Sequence, residues 1–250
     1  MKHQVHGLIP FPQFPKQRPI LPEAHKARYT QDYQDNRQGK TATLAKKLEA
    51  WMHRQISATG DGNRVLEIGA GTLNHLAYEE RHEVYDAIEP FRELWEGSPN
   101  LGKLRTLYPD IRNVVATERY DRILSVAVLE HLTELPYVVA RSCLLLSPGG
   151  TFAAGIPSEG SLSWYLAWRY GTGIPYRLRT GLDYGPLMRH EHVNKAPEIE
   201  EVLRYFFRNV KRNRFPTPLF HASFYTVLVA NDPDLAVSER YCRLYEQQSS

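Results

Sequence analysis

The spacing of apolar and polar positions changes several times along this chain, and the changes mark its organisation. Residues 1–22 show no period. Pro10, Pro12, Pro15, Pro19 and Pro22 withhold backbone donors there, which forbids helix and central strand and predicts an extended Pro-rich N-terminal arm. The arm reads either as a disordered tail or as a strap that packs Phe11 and Phe14 on the domain or on a second copy of the chain in a homodimer. Within 23–57, Leu44, Leu48, Trp51 and Ile56 recur at helical spacing among charged residues, so N-terminal helices are expected. The run from Ala58 to Asn63 breaks that period.

From 58 to 232 the chain alternates short apolar runs with polar or helical stretches. Strands are expected near Val65–Ile68, Val84–Glu89, Val114–Thr117, Ile123–Val126 and Thr151–Gly155. Such alternation predicts an α/β domain with a doubly wound, mostly parallel sheet covered by helices on both faces. Helical signals between Leu129 and Leu146 stop at Ser147-Pro148-Gly149-Gly150. Phe224–Ala230 reads as a buried strand with Val210–Phe215 as its hairpin partner, giving seven strands with an antiparallel C-terminal hairpin. A long aromatic-rich insertion, about 157–195, follows the fifth strand, and 233–250 reads as a C-terminal tail.

Composition narrows the function classes. A net charge of +3 over 250 residues is too mild for a nucleic-acid binder, which carries a concentrated basic stripe. The two cysteines, Cys143 and Cys242, have neither metal-knuckle nor disulfide spacing, and a reducing cytoplasm is expected. Without an apolar run of about 18 residues or a secretory h-region, no membrane insertion is expected.

The chemistry concentrates in Arg64-Val65-Leu66-Glu67-Ile68-Gly69-Ala70-Gly71-Thr72-Leu73-Asn74. Glycines at 69 and 71 let the backbone turn sharply off the first strand and approach a ligand closely. A dinucleotide fingerprint needs a third glycine three residues further on, and Asn74 stands there instead. Glu67, two residues before the first glycine, would repel a pyrophosphate but suits a cationic ligand. Glu89, closing the second strand twenty residues past Gly69, can accept both hydroxyls of a ribose. An adenosyl ligand without phosphates fits best, and a nicotinamide-dependent oxidoreductase fits less well.

Glu67-x-Gly69-x-Gly71, the acid at 89, the stretch from Tyr120 to Leu132 and Leu145-Leu146-Ser147-Pro148-Gly149-Gly150 together resemble the class I S-adenosylmethionine-dependent methyltransferases, over roughly residues 45–230. The resemblance implies a Rossmann-like fold, S-adenosyl-L-methionine as cofactor and transfer of its methyl group. It implies that Glu67, Gly69, Ala70 and Gly71 line the methionine part of the cofactor and that Glu89 holds the ribose. Ser125 and Val126 would lie at the mouth of the fourth strand, and the acid that reaches adenine after the third strand would correspond to Thr117 or Glu118.

Methyl transfer from a sulfonium is an in-line displacement, so the protein chiefly aligns and excludes water, adding a base where the acceptor loses a proton. His131, His190 and His192 are the candidate bases, each weighed against a purely structural role. Adjacent loop residues rarely converge on one ion, so no metal is expected. The insertion would lie over the acceptor as a helical lid, with some of Trp164, Tyr165, Trp168, Tyr170, Tyr176 and Tyr184 stacking on it and the rest packing the lid. Arg169, Arg177, Arg179 and Arg189 point to an anionic acceptor. The favoured reading is a methyltransferase acting on a hydroxyl of a sugar or related anionic small molecule. The alternatives are a quinone, phenolic or other natural-product acceptor, and a non-catalytic cofactor-binding protein.

Overall fold

The computed structural model describes residues 9–29, 43–79 and 81–249. The first eight residues of the expected arm, and residues 30–42 of the expected N-terminal helices, lie outside the described residues. Seven strands form one sheet: β1 (Arg64–Ile68), β2 (Val84–Ile88), β3 (Thr106–Tyr108), β4 (Tyr120–Val126), β5 (Leu146–Pro157), β6 (Phe207–Phe215) and β7 (Tyr225–Pro233). Their spatial order is β3-β2-β1-β4-β5-β7-β6. The pairs from β3 through β5 are parallel, and β7 runs antiparallel to both β5 and β6. The order reverses between β1 and β4, and ligands of such sheets bind in the crevice beyond the strand ends at that switch point.

The helices are α1 (Glu23–Lys26), α2 (Thr43–Ser57), α3 (Arg92–Trp95), α4 (Leu135–Leu145), α5 (Leu162–Leu166), α6 (Gly173–Thr180), α7 (Gly185–Glu191), α8 (Ala196–Phe206) and α9 (Leu235–Ser249). A π-helical stretch, Ala167–Thr172, joins α5 to α6. Side chains alternate faces along a strand, and the cores follow. Leu66, Ile68 and Ile123 bury against α4, α8 and α9, whereas Val65 and Leu124 bury with Met52 and Ile56 of α2 on the other face. On α8, Ile199, Val202, Leu203 and Phe206 are all buried, one helical stripe facing the sheet.

Two sequence expectations change, and one alternative is decided. No strand forms at Val114–Thr117. The third strand is Thr106–Tyr108, and Thr117 is exposed in a turn before β4, at the end of the sheet away from the ligand crevice. Glu118 there is ion-paired to Arg64 and Arg105. The expected C-terminal tail is the helix α9: Tyr241 and Tyr245 bury four residues apart, and Tyr245 donates to Glu134 at 2.6 Å. The arm is a strap on its own domain. Phe14 enters the main core, Phe11 meets Tyr205 edge-on at 5.2 Å, and the Lys16 ammonium donates to the Val193 carbonyl at 2.8 Å.

Candidate functional site

Off the end of β1 the chain turns through Gly69 at φ 70° and Gly71 at φ 53°, backbone that glycine adopts without strain. A side chain at 69 would also collide: its Cβ would stand 2.5 Å from both methyls of Val128. The amides of Gly69 and Ala70 donate to the Ile88 carbonyl at 2.8 and 3.1 Å. The Gly71 amide donates to the Glu89 carboxylate at 2.8 Å, which also accepts from the Phe91 amide at 3.1 Å. These donors are engaged within the protein. The next helical segment is a single 3₁₀ turn, His75–Ala77, rather than a long helix presenting its N-terminus. A pyrophosphate therefore lacks the amide cradle that dinucleotide folds supply.

Glu67 lies beneath this loop, 2% exposed, and accepts a hydrogen bond from the Tyr85 hydroxyl at 2.9 Å. Burial pushes its carboxyl from the ordinary 4.5 up to about 8, against the Tyr85 hydrogen bond and with help from Glu79 and Glu89. A second buried group, which sequence reading missed, ties α2 to the segment after the loop. His53 and His75 share a hydrogen bond between their Nδ1 atoms at 2.9 Å, His75 Nε2 meets Glu79 at 3.1 Å, and Arg122 closes on Glu79 at 2.7 Å. Burial holds the His75 imidazole below its ordinary range despite Glu79.

Directly after β4, Ala127 takes a left-handed φ of 54°, uncommon for a residue with a β-carbon and frequent at functional sites. That bend sends Glu130 and His131 toward the insertion. The segment after α7 returns to them: the Val193 and Asn194 amides donate to the Glu130 carbonyl at 2.9 and 3.0 Å, and the buried Asn194 amide side chain donates to the carbonyls of Leu129 and Leu132. His131 and His192 consequently stand edge to face with ring centres 4.8 Å apart. His131 Nδ1 bonds the Glu191 carbonyl at 2.9 Å, and His192 Nδ1 bonds the Glu159 carboxylate at 3.1 Å. Glu159 also accepts from the Trp164 indole. From the strap, Arg18 donates to the carbonyls of His131, His190 and Glu191.

Burial pushes the Glu130 carboxyl from 4.5 to about 7, moderated by His192. Burial works against a charged His192, but the Glu159 hydrogen bond and the carboxylates of Glu130, Glu159 and Glu191 outweigh it and hold the imidazole above its ordinary range.

A cavity of about 620 Å³ lies between these two assemblies. Glu67, Gly69, Ala70, Gly71 and Val126 line one side, His131 and His192 with Glu130 another, and Trp164, Trp168 and Tyr184 the insertion side. Three of the residues predicted to hold the cofactor stand off it. Ser125 is wholly buried within β4, Glu89 is 6% exposed behind the glycine turn, and Thr117 lies beyond the far strand ends. His190 is not brought to the other histidines: its Nδ1 bonds the Pro19 carbonyl at 2.7 Å and its ring meets Tyr29 edge-on.

The insertion aromatics divide. Trp164, Trp168 and Tyr184 reach the cavity, Tyr176 packs against Leu21 and Leu187, and Tyr165 and Tyr170 are exposed. No lysine or arginine lines the cavity among the described residues: Arg169 pairs with Asp183 at 3.1 Å, and Arg177, Arg179 and Arg189 are exposed. Glu159, two residues past β5, went unnoticed in the sequence, although an acid directly after a parallel strand is a signal for this crevice.

No protein-family model matches the sequence, and no curated protein matches it. Solved structures do. The N-methyltransferase NodS of Bradyrhizobium japonicum, in complex with S-adenosyl-L-homocysteine, superposes with a TM-score of 0.53 at 16% identity, over 79% of this chain and 91% of that one. A Thermotoga maritima protein described as a possible histamine N-methyltransferase gives 0.56 at 14% identity, over 83% and 97%. The plantazolicin methyltransferase BpumL, also in complex with S-adenosyl-L-homocysteine, gives 0.50 at 13% identity, over 74% and 82%. At these identities the likeness is one of fold: the chain has the fold of the class I S-adenosylmethionine-dependent methyltransferases.

Proposed function

We propose that this chain is an S-adenosylmethionine-dependent methyltransferase acting on a small-molecule acceptor. The observation that carries the reading is the cavity itself. A glycine turn with a buried carboxylate, suited to a sulfonium donor, faces a group of two histidines and a glutamate suited to an acceptor. Glu67, Gly69, Ala70, Gly71 and Val126 hold the methionine part. Glu89 takes the ribose hydroxyls with the lone pairs it does not use for Gly71 and Phe91. With the third strand at Thr106–Tyr108, the acid that follows it is Asp110, and Asp110 takes the adenine amine in place of Thr117.

In the reaction a lone pair on the acceptor atom forms a bond to the methyl carbon while the carbon–sulfur electron pair withdraws to sulfur. The sulfonium becomes a neutral thioether. Glu130, His131 and His192 face the acceptor atom, and the insertion shields the transfer from water. The acceptor presents a hydroxyl on a sugar or phenol ring that stacks on Trp164, Trp168 or Tyr184. The arginines expected to bind an anionic group stand off the cavity, so the phosphate or carboxylate is dropped from this reading.

Calorimetry tests the donor: S-adenosylhomocysteine is expected to bind and nicotinamide dinucleotides are not. Glu89→Ala is expected to weaken that binding at least tenfold, because it removes two charge-assisted hydrogen bonds of about 1.5–3 kcal/mol each and the tether on Gly71. Unchanged affinity in a folded variant would discard the assignment of Glu89.

A further inference from the structure

We propose that Glu130, His131 and His192 hold a divalent first-row metal ion in the acceptor wall of the cavity. One ligand atom from each lies within 4.8 Å of the others. Ligands at about 2.0–2.2 Å from a common ion in tetrahedral geometry stand about 3.3–3.6 Å apart, so side-chain movements of about 1 Å close the site.

Both imidazoles are prepared for this. His131 Nδ1 faces the Glu191 carbonyl and His192 Nδ1 faces the Glu159 carboxylate. A ring that donates its Nδ1 proton to such an oxygen keeps the lone pair on Nε2, the arrangement that fixes tautomer and orientation behind metal-binding histidines. His131 Nε2 stands 3.8 Å from Glu130 Oε1.

Glu130 supplies the independent observation. The residue is 1% exposed, it lines the cavity, and its Oε2 accepts no hydrogen bond from the protein. A buried carboxylate oxygen that accepts no hydrogen bond is unfavourable, and a cation at the cavity wall relieves it. The carboxylates of Glu159 and Glu191 add to the negative field, while Arg18 is directed at backbone carbonyls and at Glu191. Two imidazole nitrogens with one carboxylate select ions such as Zn²⁺, Co²⁺ or Mn²⁺ over Mg²⁺ or Ca²⁺.

All three residues line the cavity, so an ion held by them would meet the acceptor's oxygen and make its hydroxyl more acidic. The proton leaves to water, the oxygen bonds the methyl carbon, and the carbon–sulfur pair goes to sulfur. This role rests on the methyltransferase reading, but the site itself does not.

The test is a titration of untagged protein, stripped with a chelator, by CoCl₂, followed by visible absorption and calorimetry. One Co²⁺ per chain is expected, with d–d bands that Zn²⁺ abolishes by displacement. Glu130→Gln, His131→Ala and His192→Ala are expected to bind at least tenfold more weakly. Glu159→Gln, which acts through His192, is expected to lose about tenfold, and His190→Ala to bind as the parent does. Absence of stoichiometric Co²⁺ binding in the parent protein, or variants that bind as tightly as it does, would overturn the proposal. If Glu130→Gln does not fold by circular dichroism, the parent stoichiometry and the two histidine variants decide. S-adenosylhomocysteine binding to the same preparation separates the two readings: ion without this ligand sinks the methyl-transfer reading alone, and the ligand without ion sinks the metal site alone.

Discussion

The two walls of the cavity are assembled in different ways. The wall proposed for the donor is built mainly on one turn: Glu67 to Asn74 leave β1 in sequence and are pinned by the Ile88 carbonyl and Glu89 at the end of the neighbouring strand. The wall proposed for the acceptor joins residues from β4's end, from just past β5 and from the end of α7. A strap more than a hundred residues earlier lies across it, Arg18 reaching the carbonyls of His131 and His190. The donor wall inherits its rigidity from parallel strands whose backbone bonds are made regardless of side chains. The acceptor wall holds its geometry through side-chain contacts on backbone carbonyls, so its shape follows the identity of a few residues.

The sharpest way to break this comparison is His192→Ala. Turnover is expected to fall about 10²–10⁴-fold, while affinity for S-adenosylhomocysteine, measured by calorimetry, stays within about twofold because no donor-wall contact is touched. A parallel fall in donor affinity would show that the walls are one unit.

Gly69→Ala probes the opposite wall. The β-carbon meets Val128 at 2.5 Å, and the turn holds the alanine at a positive φ. The expected cost is about 1–3 kcal/mol, read as weaker donor binding and a lower unfolding midpoint. Adding Val128→Ala removes the collision but not the φ strain, so partial recovery is expected. No recovery would mean that the Val128 contact contributes nothing.

The smallest effect is a pH dependence of donor binding. Glu67 ionises near 8 when folded and near 4.5 otherwise. A folded-state value above the unfolded one makes this group subtract stability progressively as pH rises between those two values. A cationic donor favours the ionised form, so its affinity is expected to climb with pH up to about 8, by at most about tenfold per pH unit, and then level. Glu67→Gln is expected to flatten that part of the profile. A profile that keeps its slope in the variant places the titrating group elsewhere.

Much of the donor wall was legible from sequence because strand and turn are local: Glu67, Gly69 and Gly71 stand at positions that a β-strand followed by a sharp turn dictates. The third strand was misplaced because Val114–Thr117 is more β-branched than Thr106–Tyr108. The shorter segment pairs with β2, a long-range preference that overrides propensity. The tail was misread for a related reason, since α9's stripe of Tyr241, Cys242 and Tyr245 is apolar in effect only once α4 lies beneath it. The anionic-acceptor expectation counted arginines in the insertion, and their direction depends on how α5 to α7 pack.

By itself the sequence determined an α/β sheet, the glycine turn and the acids beside it, because each depends on residues within one element or one connection. Only the tertiary structure decided that His131 and His192 meet and His190 does not, that Glu159 stands behind His192, and that the strap crosses this wall. Those facts depend on the direction of side chains separated by tens of residues. That direction is set by the bend at Ala127 and by the Asn194 clasp on Leu129 and Leu132, contacts that exist only after the sheet has brought the segments together.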